Sequence, residues 1–92
     1  MSNPDVSVIM PIYNAEIYIA KSVESLFCQT LDSIEFIFVD DCSTDSSIDI
    51  IRQVLENYPT RKSQSRFLKT PCNSGQGLAR KIGMKVASGN YI

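Results

Sequence analysis

Two rhythms of apolar residues alternate along this chain. The run Val6-Ser-Val-Ile-Met10 is short, mostly apolar and closed by Pro11, the pattern of a buried strand. From Asn14 the period lengthens. Ile19, Val23, Leu26/Phe27 and Thr30 recur at steps of three and four, as on one face of a helix. Asn14 is the expected N-cap, and Glu16 falls in the expected first turn, where a negative charge suits the helix dipole. Ile34-Glu-Phe-Ile-Phe-Val39, rich in β-branched and aromatic residues, predicts a second strand that stops at the polar stretch Asp40-Asp-Cys-Ser-Thr-Asp45. Ile48, Ile51, Leu55 and Tyr58 then share a helical face, capped by Ser43 or Thr44 and ended by Pro59. Residues 60–65 are polar and basic, the composition of a surface loop. Arg66-Phe-Leu-Lys69 is a weak third strand. Residues 71–77 predict a turn into a third helix whose buried stripe is Ala79, Ile82, Gly83, Val86 and Ala87. Gly89 is a suitable stop, and Tyr91-Ile92 begin a fourth strand.

The order is β-α-β-α-β-α followed by the start of a strand. It predicts an α/β fold of three layers, with right-handed crossovers and helices on both faces of a parallel sheet. The near-continuous apolar strands fit a sheet covered on both sides. At 92 residues, 43% hydrophobic and 21% charged, the chain has the composition of one small globular domain, not of a disordered segment. Because it stops in mid-unit, it is expected to be an incomplete piece of a longer polypeptide. No apolar run reaches the roughly 18–20 residues of a membrane span, and the N-terminus lacks signal-peptide features. The expected compartment is therefore the cytoplasm.

Charge changes the picture more than composition does. The net value of −1 conceals eight acids and one base in residues 1–46, against two acids and eight bases in residues 47–92. Without a clustered excess of base, the balance argues against nucleic acid as a partner. Cys28, Cys42 and Cys72 form an odd set without CxxC spacing, and the chain has no histidine. A disulfide framework, a His-containing zinc site and any His-based triad are thereby disfavoured.

In a parallel sheet all C-terminal strand ends share one edge, and ligands bind in the crevice there. The segments 11–14, 40–45 and 73–77 fall on that edge, and they hold most of the ligand-binding chemistry in the chain. The turn after the first strand, Pro-Ile-Tyr-Asn-Ala-Glu, has no glycine, so a dinucleotide fingerprint is absent, as is a P-loop. A phospho-receiver reading fails because it would need acids at the first strand and an Asp after the third. A carboxylate at the end of the second strand can accept from the N3–H of uracil, a charged hydrogen bond of roughly 1.5–3 kcal/mol. Cytosine presents a lone pair there and is repelled. A tyrosine on the neighbouring strand can stack on the base, worth about 1–3 kcal/mol. Asp41 and Tyr13 are placed for these roles. In a purely structural alternative, Asp40 and Asp45 only cap the next helix and Tyr13 fills the sheet edge.

Val6-Ser-Val-Ile-Met-Pro-Ile-Tyr-Asn14, Asp40-Asp-Cys-Ser-Thr-Asp-Ser46, Asn73-Ser-Gly-X-X-X-Ala-Arg80 and Ala87-Ser-Gly-Asn-Tyr-Ile92 together resemble the family-2 glycosyltransferases. Each motif alone is weak, but the four occur in the family's order and spacing over essentially the whole chain. The resemblance implies that residues 1–92 are the N-terminal, Rossmann-like nucleotide-binding part of a GT-A fold. The resemblance also implies transfer of a sugar from a nucleotide-diphosphate donor, commonly UDP-linked, with inversion, to a carbohydrate or lipid-linked acceptor in polysaccharide biosynthesis.

By the same resemblance Tyr13 packs on the base, Pro11 lines its pocket through backbone, and Asp41 reads the uracil N3–H. Asp40 orients the loop, while Asn73 and Gly75 border base and ribose. Arg80 either contacts the diphosphate or forms an ion pair with a loop acid. Where Cys42 stands the family usually has glycine, so either this residue takes a strained left-handed conformation or the turn differs. The family's metal-binding Asp-X-Asp would follow Ile92. A divalent cation (Mn or Mg) is thus expected in the full-length protein and no complete metal site in this chain, which is expected to be inactive alone. Two readings from other classes remain: a non-catalytic nucleotide-binding module and a structural α/β module. The open sheet edge raises the expectation of a homo-oligomer, and the acceptor that of membrane association.

Overall fold

A computed structural model describes residues 5–30, 32–70, 75–87 and 90–91. The apolar runs become strands β1 (Val6–Ile12), β2 (Ile34–Asp40) and β3 (Ser65–Lys69), joined by the short β4 (Asn90–Tyr91). All pair in parallel, in the order β3-β2-β1-β4. The helices are α1 (Ile19–Phe27), α2 (Ser47–Leu55), α3 (Pro59–Ser63) and α4 (Gly75–Val86). This is the α/β architecture that the pattern predicts. After β3 the chain crosses to the far side of β1, so strand order reverses between β1 and β4, the position where doubly wound sheets open a crevice.

Period-two alternation divides the core into two faces. Ile12 of β1 and Ile34, Phe36 and Phe38 of β2 meet Val23 and Phe27 of α1 and Ile51 and Leu55 of α2. The intervening residues Ile9, Ile37 and Val39 face α4 through Ala79. The Phe27 ring lies edge-on to Phe36 at 5.2 Å, and Phe38 stacks on Phe67 at 5.3 Å. β4 pairs with β1 at Val6 and Ser7, so the fourth strand is paired on one side.

Several boundaries differ from the sequence expectation. β1 runs through Pro11 to Ile12. Proline's missing N–H is tolerated because, among the described residues, β4 reaches only Val6 and Ser7, leaving β1 a single partner strand at Pro11. The first helix opens at Ile19, behind Tyr18, so Asn14 is not its N-cap and Glu16 is outside its first turn. Neither Ser43 nor Thr44 caps α2, which opens at Ser47. Pro59 starts a helix instead of ending one, its fixed φ suiting the first helical position. The stretch 60–65 is accordingly no loop. It forms most of α3 and the start of β3, and Arg61 within it is buried. The Arg61 guanidinium donates to the carbonyls of Phe27 (3.1 Å) and Gln29, closing the C-terminal end of α1, where a cation suits the dipole. Finally, Gly75 and Gly77 belong to α4 and not to a preceding turn.

Candidate functional site

Register places the candidate site. Ile12 pairs with Asp40, and Asp40 pairs with Lys69. The next residue on each strand is Tyr13, Asp41 and Thr70, so these three stand side by side at the C-terminal edge, at strand spacings of about 4.8 Å. The ladder continues one step beyond the strands. The Asp41 N–H donates to the Ile12 carbonyl (2.8 Å) and the Thr70 N–H to the Asp40 carbonyl (2.9 Å).

The pleat separates the two adjacent acids. Asp40 continues the Phe36–Phe38 face toward α2, where it borders a shallow hollow with Ile48, Arg52 and Phe67. Its Oδ1 accepts from the Ser43 N–H (2.9 Å), which shapes the loop. Asp41 continues the Ile37–Val39 face, the one α4 covers, and is 7% exposed. Its Oδ1 accepts from the Thr70 hydroxyl, which is buried with it. Tyr13 is 50% exposed, and Pro11 is half-buried. Cys42 takes the left-handed conformation, φ 60°, and its thiol donates to the Thr70 carbonyl at 3.5 Å.

Side chains of each of the first two loops hold the backbone of the other. The N–H groups of Asn14, Ala15 and Glu16 donate to Ser43 Oγ, Ser47 Oγ and Asp45 Oδ2 at 3.1, 2.7 and 3.1 Å. In return, the N–H groups of Thr44 and Ser46 donate to Asn14 Oδ1 and Glu16 Oε2 at 2.8 and 3.1 Å. Asn14 sits at φ 48°, a left-handed position that asparagine tolerates better than most residues. This explains the two misplaced helix signals. The Asn14 acceptor and the Glu16 carboxylate serve the second loop and the N-terminus of α2, not α1. Asp45 Oδ1 also accepts from the N–H and hydroxyl of Ser47 at 3.0 and 2.6 Å. Desolvation pushes the Asp45 carboxyl up, but the hydrogen bonds from Ser47 and the Glu16 N–H outweigh it and hold the group below the ordinary carboxylate range.

The structure thus brings Tyr13, Pro11 and Asp41 together, with Asp40 one face away. Gly75 is the first residue of α4, whose N-terminal end lies on the same edge. Arg80 is exposed on α4, and among the described residues no ion pair joins it to a loop acid. Asn73 lies outside the described residues. Sequence reasoning did not single out Thr70 or Ser47. Thr70 becomes visible only when register is counted across three strands, and Ser47 through the Asp-X-Ser spacing that begins α2.

Asp40, Asp41 and Asp45 each turn to a different partner, and among the described residues no group of three or more metal-ligating side chains converges. Nor, among those residues, is any helix long and apolar enough to cross a membrane.

Known proteins are similar to this chain in sequence and in fold. An uncharacterized glycosyltransferase of Haemophilus influenzae is 40% identical over 92 residues, all of this chain and 35% of that protein. S. aureus TarS 1-349, solved in complex with UDP-GlcNAc, superposes with a TM-score of 0.81 at 34% identity, over 92% of this chain and 24% of that one. The mannosyltransferase PcManGT from Pyrobaculum calidifontis, solved with GDP-Man and Mn2+, gives a TM-score of 0.82 at 25% identity, over 95% and 25%. The chain therefore spans about a third or less of the length of these proteins. The profile described as Glycosyl transferase family 2 matches residues 7–92, from the second residue of β1 through β4, and the chain belongs to that family.

Proposed function

We propose that this chain is the nucleotide-binding part of a glycosyltransferase that moves a sugar from a nucleotide-diphosphate donor, with UDP as the nucleotide, to an acceptor hydroxyl with inversion. The observation that carries the reading is the side-by-side placement of Tyr13 and Asp41 at the C-terminal edge, next to the point where strand order reverses. In this reading Tyr13 offers a half-exposed ring for the base to stack on, and Asp41 accepts from the uracil N3–H. Pro11 lines the pocket, Asp40 holds the loop through Ser43, and Asn73 and Gly75 border base and ribose. Arg80, exposed on α4, is assigned to the diphosphate by the family resemblance.

The two solved relatives were obtained with GDP-Man and with UDP-GlcNAc, which supports the donor class but not the choice of base. A carboxylate can also accept from the N1–H of guanine, so GDP is the competing ligand. The loop acids of this chain are committed to other partners, so the divalent cation is proposed for the whole protein, on residues outside the described site. The acceptor, carbohydrate or lipid-linked, and a cytoplasmic setting belong to the same proposal. The 92-residue chain by itself is read as a binding part without turnover.

Calorimetry with UDP, CDP and GDP tests the base assignment. UDP should bind more tightly than CDP, and Asp41→Asn should weaken UDP by about tenfold or more, the scale of a charged hydrogen bond. Equal affinity for UDP and CDP, or an unchanged UDP affinity in Asp41→Asn, refutes the role of Asp41. Tighter binding of GDP than UDP would transfer the site to a purine donor.

A further inference from the structure

Thr70 is the third residue of the edge row formed with Tyr13 and Asp41, and it stands one step beyond β3. Its hydroxyl is buried, the residue being 5% exposed, and donates to Asp41 Oδ1. Both ends of its main chain are held by the residues that flank Asp41. The N–H donates to the Asp40 carbonyl at 2.9 Å, and the carbonyl accepts from the Cys42 thiol at 3.5 Å. A donor fixed in this way, on a β-branched side chain with few χ1 choices, leaves the carboxylate little freedom to turn about its own axis. Orientation matters for a carboxylate that must meet a base edge, because hydrogen bonds to sp² oxygens favour the plane of the group and weaken steeply off line.

We infer that Thr70 is a positioning residue, whose hydroxyl holds the Asp41 carboxylate in the orientation that distinguishes uracil from cytosine. The inference rests on the base-reading role proposed for Asp41. Thr70 does not itself touch the base. It sets where an acceptor oxygen points, so its contribution appears as selectivity and not merely as stability. In a purely structural role the hydroxyl would only satisfy a buried carboxylate, and its loss would lower folding stability without changing the ratio of affinities.

The test uses the 92-residue chain, titrated with UDP and with CDP in the calorimeter, with thermal unfolding followed separately. Thr70→Val removes the hydroxyl and keeps the shape. It should lower the UDP-to-CDP affinity ratio by about threefold to tenfold, the scale of one net intramolecular hydrogen bond. Thr70→Ser, which restores the donor, should return the ratio to within about twofold of the parent. Thr70→Ala provides a second hydroxyl-free variant should Val fail to fold, and the ratio reports only on folded molecules. An unchanged ratio in Thr70→Val or Thr70→Ala, beside a ratio abolished by Asp41→Asn, overturns the inference while the role of Asp41 stands. A parent without uracil preference, or without saturable UDP binding, overturns the base-reading site and this inference with it.

Discussion

Gly83 decides how closely α4 can approach the sheet. A Cβ built there would lie 2.5 Å from Ile9 Cγ2 and 3.3 Å from Val39 Cγ2, whereas a Cβ at Gly77 in the same helix would meet nothing within 4 Å. Carbon atoms in contact sit about 3.5–4.0 Å apart, so Gly83→Ala must move Ile9 or the helix by about 1 Å or more. Ile9 is buried and β-branched, with few alternative rotamers. Overpacking of this kind costs about 1–3 kcal/mol, and the gain in helix propensity returns about 1 kcal/mol of it. Gly77→Ala receives the propensity gain alone, about 0.5–1 kcal/mol near a helix end. The two variants should therefore differ by about 2 kcal/mol, with Gly83→Ala the less stable, equivalent to roughly 10 °C in midpoint for a domain of this size. Urea and thermal unfolding of both variants against the parent measure the difference. If Gly83→Ala is as stable as Gly77→Ala, α4 does not seat on Ile9 and Val39 as described, and its placement at the site edge falls with that contact.

Two further outcomes follow from the loops. Because the folded state holds Asp45 below the ordinary carboxylate range, its stabilising contribution is present above about pH 4 and is lost as pH falls through the lower folded value. Urea unfolding across pH 7 to 2 should show Asp45→Asn less stable than the parent at neutral pH, with the gap closing in acid; a gap independent of pH contradicts the assignment. Cys42→Gly should raise stability by about 0.5–1 kcal/mol, since a left-handed non-glycine residue costs about 1–2 kcal/mol and glycine's extra freedom in the unfolded chain offsets part of the relief. A lower thermal midpoint would show that the thiol contact with Thr70 matters more than backbone strain.

Much of this structure was legible in one dimension because strands and helices impose different periods on buried positions. The alternation in β2 separates Phe36 and Phe38 from Ile37 and Val39, and the pleat carries the same separation into Asp40 and Asp41. What was misread depends on contacts between distant segments. Asn14 has the chemistry of a cap for the helix that follows it, but its acceptor is claimed by Thr44, thirty residues on. Arg61 lies in a stretch whose polarity indicates a loop. It is buried because two carbonyls at the end of α1 need donors, a demand made elsewhere in the chain. Thr70 is an ordinary threonine until three strands are aligned. Tyr13 and Asp41 are legible as candidates because each stands just past an apolar run, a signal that survives without knowledge of register.

The reciprocal stitching of residues 14–16 to residues 43–47 bears on how such a pocket can diversify. Each loop supplies the acceptors that fix the path of the other, so neither is an independent module that can be exchanged alone. A substitution at Asn14 or Asp45 removes a hydrogen bond to the backbone of the other loop, and paired changes across the two loops should be non-additive. Among the described residues, the Thr70 side is tied to this unit through Asp40, Asp41 and Cys42. Within this framework, a change in residues 14–16 is expected to call for a compensating change in residues 43–47.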